Sequence, residues 1–367
     1  MSVAAQGNGR WDRYAAAAEG LPEYWHPAMP SAKLGGKPKA WRLLGRDLVF
    51  LRHAGRAYAL EDRCPHRHVP LSLGRCEFPG TITCVYHGWT FDLADGRLVA
   101  ALTDGPDSPV RGKARVRSYP VEERCGVVWV WMGEGTPVPV EDDIPDELLR
   151  PDARIHALYR EAKGDWRHAA ENGFDEAHGK MLHRSSWWVA FRRMAGWNET
   201  EIVRGENDRW LSRYQHSVHE DDDYPGLGRW PRFNFWQRRR KKIAQGSNEH
   251  AVSIRLPANL RVRQPGRSNW THYEWYTPIE RGRYHYLVFA VAWAKGWRRA
   301  LWWLRYWSYI LWVHHYDFNN QDLSVVPHMG DSHPAPSFRP DVSIEAWRRM
   351  VETEARAPLD AGGAGRE

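Results

Sequence analysis

Two short arms constrain this chain more than any other feature: Cys64-Pro-His66 and Cys84-Val-Tyr-His87. Each arm offers one thiolate and one imidazole, so the fold must carry them on two loops that close on one another. Two thiolates and two imidazoles suit a [2Fe–2S] cluster in which one iron is held by sulfur and the other by histidine nitrogen. That ligand set raises the reduction potential above that of an all-cysteine cluster. A structural zinc ion is the competing use of such ligands, but zinc arms tend to be Cys-x2–4-Cys and His-x3–5-His rather than two mixed pairs. The flanks favour the cluster. Pro65 and Gly74 shape the first loop, and Gly88-Trp89 turns the chain after His87, where it can cover the cluster.

A chain of 367 residues has room for two domains. Hydrophobic residues at 42% against 26% charged ones mark it as globular rather than disordered. Its 22 tryptophans call for large flat apolar surfaces, in a core, around a cavity or at a membrane interface. The net charge of +7 suits acidic redox partners, anionic headgroups or nucleic acid. No nucleic-acid-binding motif accompanies it, so nucleic acid is not an expected partner. The densest basic run, Arg238 to Lys242, reads as a solvated loop or as a docking patch for an acidic ferredoxin or a membrane surface. The N-terminus lacks the charged and apolar blocks of a signal peptide, which predicts a cytoplasmic protein. In that compartment Cys76 and Cys125 are expected as reduced thiols.

Residues 40–135 read as short strands separated by glycine turns: Trp41 to Gly45, Asp47 to Arg52, Ala57 to Leu60 and Gly126 to Met132. This pattern predicts a small β domain presenting the two arms. The stretch from Gly133 to Pro145 is rich in proline and acid and reads as a linker, placing a boundary near residue 140. The expected organisation is an N-terminal segment 1–24, a β domain 25–140, a second domain 141–350 and a tail 351–367 that is disordered from Ala357 to Glu367.

A second chemical centre lies between Glu171 and His183, where Asp175, His178 and His183 follow Asn172. On a helix Asp175 and His178 share a face, whereas His178 and His183 diverge by about 140°. They can meet at one metal only if the helix breaks or widens between them, and Gly179 is the expected place. Two histidines need a carboxylate to complete the facial triad of a non-haem Fe(II) oxygenase, which leaves positions open for O2. Asp317 and Asp322 are the candidates.

The segments CPHRH and CVYHGW resemble the cluster loops of Rieske proteins. Over roughly residues 20–350 the chain resembles the terminal oxygenase component of Rieske non-haem iron oxygenases, nearest the carbazole dioxygenase and oxoquinoline monooxygenase type. Tyr24 to Met29, Trp166 to Asp175 and Tyr273 to Ile279 carry the resemblance beyond the ligands. It implies an α+β fold: an all-β Rieske domain, then a catalytic domain with an antiparallel sheet, surrounding helices and a hairpin turning at Glu280-Arg-Gly-Arg283. It implies a Rieske cluster on Cys64, His66, Cys84 and His87. It also implies a mononuclear Fe2+ on His178, His183 and Asp322, the last chosen because Phe318 to Asp322 resembles the family's F-N-x-x-D stretch. Electrons would come from a ferredoxin or flavin reductase and cross between subunits of a homotrimer through His87, Asp175 and His178. Asn172 would lie near the iron.

Substrate is the least constrained reading. The run from Trp297 to Val313 carries five tryptophans with Arg298, Arg299 and Arg305. It is too short and too charged to span a bilayer, which takes about 20 apolar residues. As an amphipathic helix it would suit a membrane interface at the inner face, or packing between domains or subunits. The interface reading predicts a bulky polycyclic substrate, a sterol or steroid oxidised at a C–H or methyl group. The alternative is hydroxylation of an aromatic or heteroaromatic ring. A non-catalytic Rieske electron carrier is a remote third reading, since it would not need the histidine pair or Asp322.

Overall fold

The computed structural model describes residues 10–175, 177–187, 197–204, 208–219, 223–224, 226–229, 252–263, 270–330 and 338–356. The basic run 238–242 and the tail 357–367 lie outside the described residues. Two compact units divide the chain. One comprises Glu19–Leu149, Thr277–Arg281 and Arg356–Glu367; the other comprises Met1–Ala18, Arg150–Tyr276 and Gly282–Ala355. The division thus falls after Leu149 rather than near residue 140. The proline- and acid-rich stretch is no free linker, because Val140, Ile144 and Leu148 are buried and the Asp143 carboxylate accepts from the Trp25 N–H at 2.9 Å.

The first unit is built of three small antiparallel sheets. Trp25–Pro30 pairs with Val127–Trp131, which pairs with Val121–Arg124. Lys39–Leu43, Arg46–His53, Arg56–Glu61 and Ser118–Tyr119 form the second sheet; Thr81–Thr83, Trp89–Asp92 and Leu98–Ala101 form the third. Three hairpins turn on two residues each: Leu44-Gly45, Ala54-Gly55 and Cys125-Gly126. Both residues of each pair have positive φ, the type I′ geometry whose twist matches that of the strands it joins. Cys125 therefore serves a turn, and no disulfide occurs among the described residues. Val49, Leu51, Leu60, Ile82 and Phe91 form a core that includes the buried Cys64 and Cys84.

The second unit centres on a seven-stranded antiparallel sheet ordered Ala153–Lys163, Arg283–Trp293, Trp270–Glu280, Asn259–Arg263, Val252–Arg255, Leu211–His219, Trp197–Val203. Residues 270–279 are buried without interruption, as are residues 284–292. These two strands therefore have both faces covered, which explains why they read as continuous apolar and aromatic runs rather than alternating ones. The short helix Trp166–Phe174 begins at Asp165, whose side chain accepts from the Arg167 N–H. Its Glu171 is held by the Tyr14 hydroxyl at 2.6 Å and by Arg348 Nε at 2.5 Å. Gly173 is required there, because a Cβ would sit 2.5 Å from the Tyr276 hydroxyl.

The tryptophan-rich run is an α-helix, Arg298–Arg305, that widens into a π-helix, Tyr306–Phe318, and re-forms as Asn319–Val325. Trp302, Tyr306, Ile310 and Leu311 pack on Trp270, Ala290 and Ala292. Trp303, Trp307, Trp312 and Tyr316 are exposed. No described helix is long and apolar enough to cross a membrane.

Candidate active site

The two arms adopt the same backbone turn. The Cys64 N–H donates to the Val69 carbonyl and the His68 N–H to the Cys64 carbonyl; the Cys84 N–H donates to the Trp89 carbonyl and the Gly88 N–H to the Cys84 carbonyl. The fifth residue of each turn has positive φ, 61° at His68 and 66° at Gly88. Asp62 holds the start of the first arm by accepting from both the backbone N–H and the hydroxyl of Ser72 at 2.6 Å. Gly74 lets the arms close, since a Cβ would lie 2.2 Å from the Thr83 carbonyl oxygen.

This places the thiols of Cys64 and Cys84 inside, each 2% exposed, and the imidazoles of His66 and His87 outside with ring centroids 4.6 Å apart. Trp89 stacks on His66 at 4.9 Å. Burial, with the adjacent Cys84, pushes the Cys64 thiol up to about 11. Two adjoining buried thiolates require positive charge between them, which iron supplies, and a coordinating thiol is deprotonated outright. Buried sulfur on one side and accessible imidazole on the other therefore fit a [2Fe–2S] cluster whose histidine-held iron faces outward.

The second group gathers His178, His183 and Asp322, whose donor atoms lie within 4.8 Å of one another. The chain reaches this arrangement by a route other than the expected break at Gly179. The helix Trp166–Phe174 stops before Asp175, whose backbone is extended, and a separate turn of helix runs from His178 to Leu182. At His183 the chain tightens into a 3-10 turn. Widening occurs instead in the segment that leads to Asp322.

Asp175 thus shares no helix face with His178 but caps its helix. Its carboxylate accepts from the N–H groups of Ala177 and His178, both at 3.0 Å, and contacts His178 Nδ1 at 3.1 Å. His183 Nδ1 meets Gln321 Oε1 at 3.2 Å. With each Nδ1 so engaged, the Nε2 atoms face Asp322 Oδ1, at 3.5 Å from His178 and 3.2 Å from His183. The His183 contact lacks hydrogen-bond geometry, as befits groups that converge on a shared ion rather than on each other. Outer carboxylate and carbonyl partners of this kind fix the tautomer of metal-binding imidazoles.

Asn172 Nδ2 donates to Asp322 Oδ1 at 3.0 Å, and Phe318 stacks on His183 at 3.7 Å. Asp317 lies apart from the cluster and accepts from the Ser186 hydroxyl and the Trp187 N–H. Gln321, Phe318 and Asp317 carry no motif that names these positioning tasks; only their nearness to Asp322 in the sequence marks them. Burial alone would lower His178, but Asp175 and Asp322 hold it up at about 9. Burial alone would raise Asp322, but the two imidazoles hold it well below the usual carboxylate range. Such a set is poised to exchange a proton on His178 for a divalent cation, and two imidazoles with one carboxylate suit Fe2+.

Comparison with known proteins agrees. Residues 24–120 match the Rieske [2Fe–2S] domain, and residues 131–197 match the homotrimeric ring hydroxylase family. The terminal oxygenase component of carbazole 1,9a-dioxygenase from a Sphingomonas species is 33% identical over 294 residues, 78% of this chain and 76% of that one. The chain belongs to the Rieske non-haem iron oxygenases. It is a terminal oxygenase of the carbazole-dioxygenase type, carrying a Rieske cluster and a mononuclear iron. The solved terminal oxygenase of carbazole 1,9a-dioxygenase from Novosphingobium sp. KA1 superposes with a TM-score of 0.80 at 28% identity, covering 95% of this chain and 96% of that one. A reduced oxygenase–ferredoxin complex of carbazole 1,9a-dioxygenase gives 0.77 at 28% identity, covering 95% and 93%. This Rieske oxygenase is thus of the aromatic ring-hydroxylating kind, and the sterol or steroid expectation finds no support among these relatives.

Proposed function

We propose that this oxygenase hydroxylates an aromatic or heteroaromatic ring, with Cys64, His66, Cys84 and His87 holding the cluster and His178, His183 and Asp322 holding Fe2+. The observation that carries this reading is the double anchoring of the imidazoles: Asp175 and Gln321 occupy the Nδ1 atoms, so both Nε2 atoms are turned to one carboxylate. When bound, the two groups supply electron transfer and oxygen activation. The protein's part is to hold neutral imidazoles in one tautomer, keep Asp322 ionised and oriented by Asn172, and shelter the histidine side with Phe318.

Asp175 is proposed as the carboxylate on the electron path, because a group already fixed on His178 can relay the charge state of that ring. A ferredoxin is the proposed donor and a homotrimer the proposed assembly, after the complexes and the family model that this chain resembles. The preference for a ring over a sterol rests on the relatives, named for carbazole, 3-chlorobenzoate and phenoxybenzoate oxygenations. Purified protein, a surrogate ferredoxin system and isotopically heavy O2, given carbazole, dibenzofuran and a sterol together, provide the test by mass spectrometry. Labelled ring product that disappears in Asp322→Ala supports the assignment. Labelled sterol alone, or label that survives in the variant, refutes it.

A further inference from the structure

We propose that His272, His314 and His315 form a second metal site, separate from the iron ligands, for a divalent first-row cation of the Zn2+ type. The site would bolt the sheet to the helical segment that carries Asp322. His272 lies on the strand Trp270–Glu280, and His314 and His315 are neighbours on the π-helix Tyr306–Phe318. One ligand atom from each falls within 4.8 Å of the others, and the ring centroids are 4.4 to 5.4 Å apart. Zn–N distances of about 2.0–2.1 Å put tetrahedral donor nitrogens about 3.4 Å apart. Side-chain adjustments on the order of an ångström therefore close the site.

Three features point to a cation rather than to ordinary core packing. First, the rings are 0%, 3% and 0% exposed, and His272 Nδ1 and both nitrogens of His315 have no hydrogen-bond partner. Buried polar atoms are nearly always paired, so three such atoms in two touching residues demand an occupant. Second, these nitrogens are closed to water, which leaves no room for an organic ligand. Third, the outer partners suit a metal. His272 Nε2 is bonded to the Glu274 carboxylate, which the Tyr276 hydroxyl also holds. That leaves Nδ1 of His272 as the lone-pair nitrogen, the carboxylate–histidine–metal relay in which the outer acid fixes the tautomer.

Charge supports the same assignment. Glu274 is 8% exposed, and among the described residues its ion pair is with His272 rather than with a lysine or arginine. A divalent ion on the ring would balance that buried anion. On the opposite side Arg160 donates to the His315 carbonyl at 2.6 Å. Burial and the neighbouring His272 and Arg160 hold His315 well below the ordinary imidazole range, which keeps its lone pair available. Phe318 lies 5.4 Å from His314 and stacks on His183, so the bolt would sit directly behind the iron ligands.

The test uses the full-length protein with His183→Ala, which disables the iron site, loaded with Co2+ after mild chelation. The expected result is one cobalt per chain retained through desalting, with an X-ray absorption signature of imidazole ligands. Adding His315→Gln should weaken retention by about 100-fold or more, and Glu274→Gln by about 10–100-fold. Cobalt that washes away, or binding unchanged by His315→Gln and His272→Gln, overturns the proposal. Should those variants lose the Rieske absorption and hence the fold, the X-ray spectrum of the His183→Ala chain decides alone: imidazole scattering upholds the site, and a shell of oxygen ligands overturns it.

Discussion

Asp175→Asn separates two duties of one side chain. Asparagine is as good a helix cap as aspartate, so one oxygen can still accept a backbone N–H from the start of the helix His178–Leu182. The new amide NH2 must then replace either Oδ2, which serves both the N–H and Nδ1 of His178, or Oδ1, which accepts from the Ala177 N–H, all within 3.1 Å of the present carboxylate. Facing the ring, it donates to Nδ1 and drives the proton to Nε2, the nitrogen 3.5 Å from Asp322 Oδ1. A protonated Nε2 cannot bind iron. In place of Oδ1 it sets donor against donor at the Ala177 N–H and leaves the ring an uncharged amide oxygen instead of its carboxylate. Either way iron affinity should fall by about 10–100-fold, as for other outer-shell losses, equal to about 1.4–2.8 kcal/mol. Stability should fall by about 1 kcal/mol or less, whereas Asp175→Ala should cost a further 0.5–2 kcal/mol or so through the lost cap. Iron per chain under chelator competition reads the first quantity and denaturant melts the second. Wild-type iron affinity in Asp175→Asn, or an Asp175→Ala protein no less stable than Asp175→Asn, would refute the reasoning.

Other outcomes follow from single contacts. Burial lowers the pKa of His26 from 6.5 to about 4 while its Nε2 meets the Leu21 carbonyl at 2.8 Å. Between those values the unfolded chain takes up a proton that the folded one refuses. Stability is therefore intact above pH 6.5 and declines as the pH drops to 4, by about 3 kcal/mol; denaturant melts across that interval should show it, and His26→Gln should flatten the curve. Gly74→Ala puts a methyl 2.2 Å from the Thr83 carbonyl, next to Cys84, and should reduce cluster content, read as visible absorbance per chain. Gly173→Ala brings its Cβ to 2.5 Å from the Tyr276 hydroxyl and should cost about 1–3 kcal/mol in a thermal melt, part of which Tyr276→Phe should restore.

The chemistry of this chain is more legible in its sequence than the geometry that delivers it. Cys64, His66, Cys84 and His87, the proposed cluster ligands, are legible because such ligands sit in tight local turns, where spacing along the chain is spacing in space. The glycine hairpins are legible for the same reason: Gly45, Gly55 and Gly126 supply the second left-handed residue of a two-residue turn. The choice of Asp322 rests on family resemblance, since nothing local in the sequence distinguishes it from Asp317. The stop before Asp175 is not legible because an Asp between helical residues signals either a face or a cap, and the outcome depends on what His178 must reach. The grouping of His272 with His314 and His315 has no local signature, as strand and helix meet only through tertiary packing. Residues 133–145 read as a linker because proline and acid hide the few apolar side chains, Val140 and Ile144, that dock.

The π-helix before Asp322 makes length a strict requirement of that segment. Residues 306–318 wind with a wider turn than the α-helices on either side. Deleting or inserting one residue there would rotate everything downstream by about 100° and turn Asp322 away from both histidines. Its inner surface is fixed as well, since Tyr306, Ile310 and Leu311 pack on Trp270, Ala290 and Ala292. An engineer working in this stretch should therefore keep its number of residues and its inward-facing side chains, and exchange only exposed ones such as Trp312.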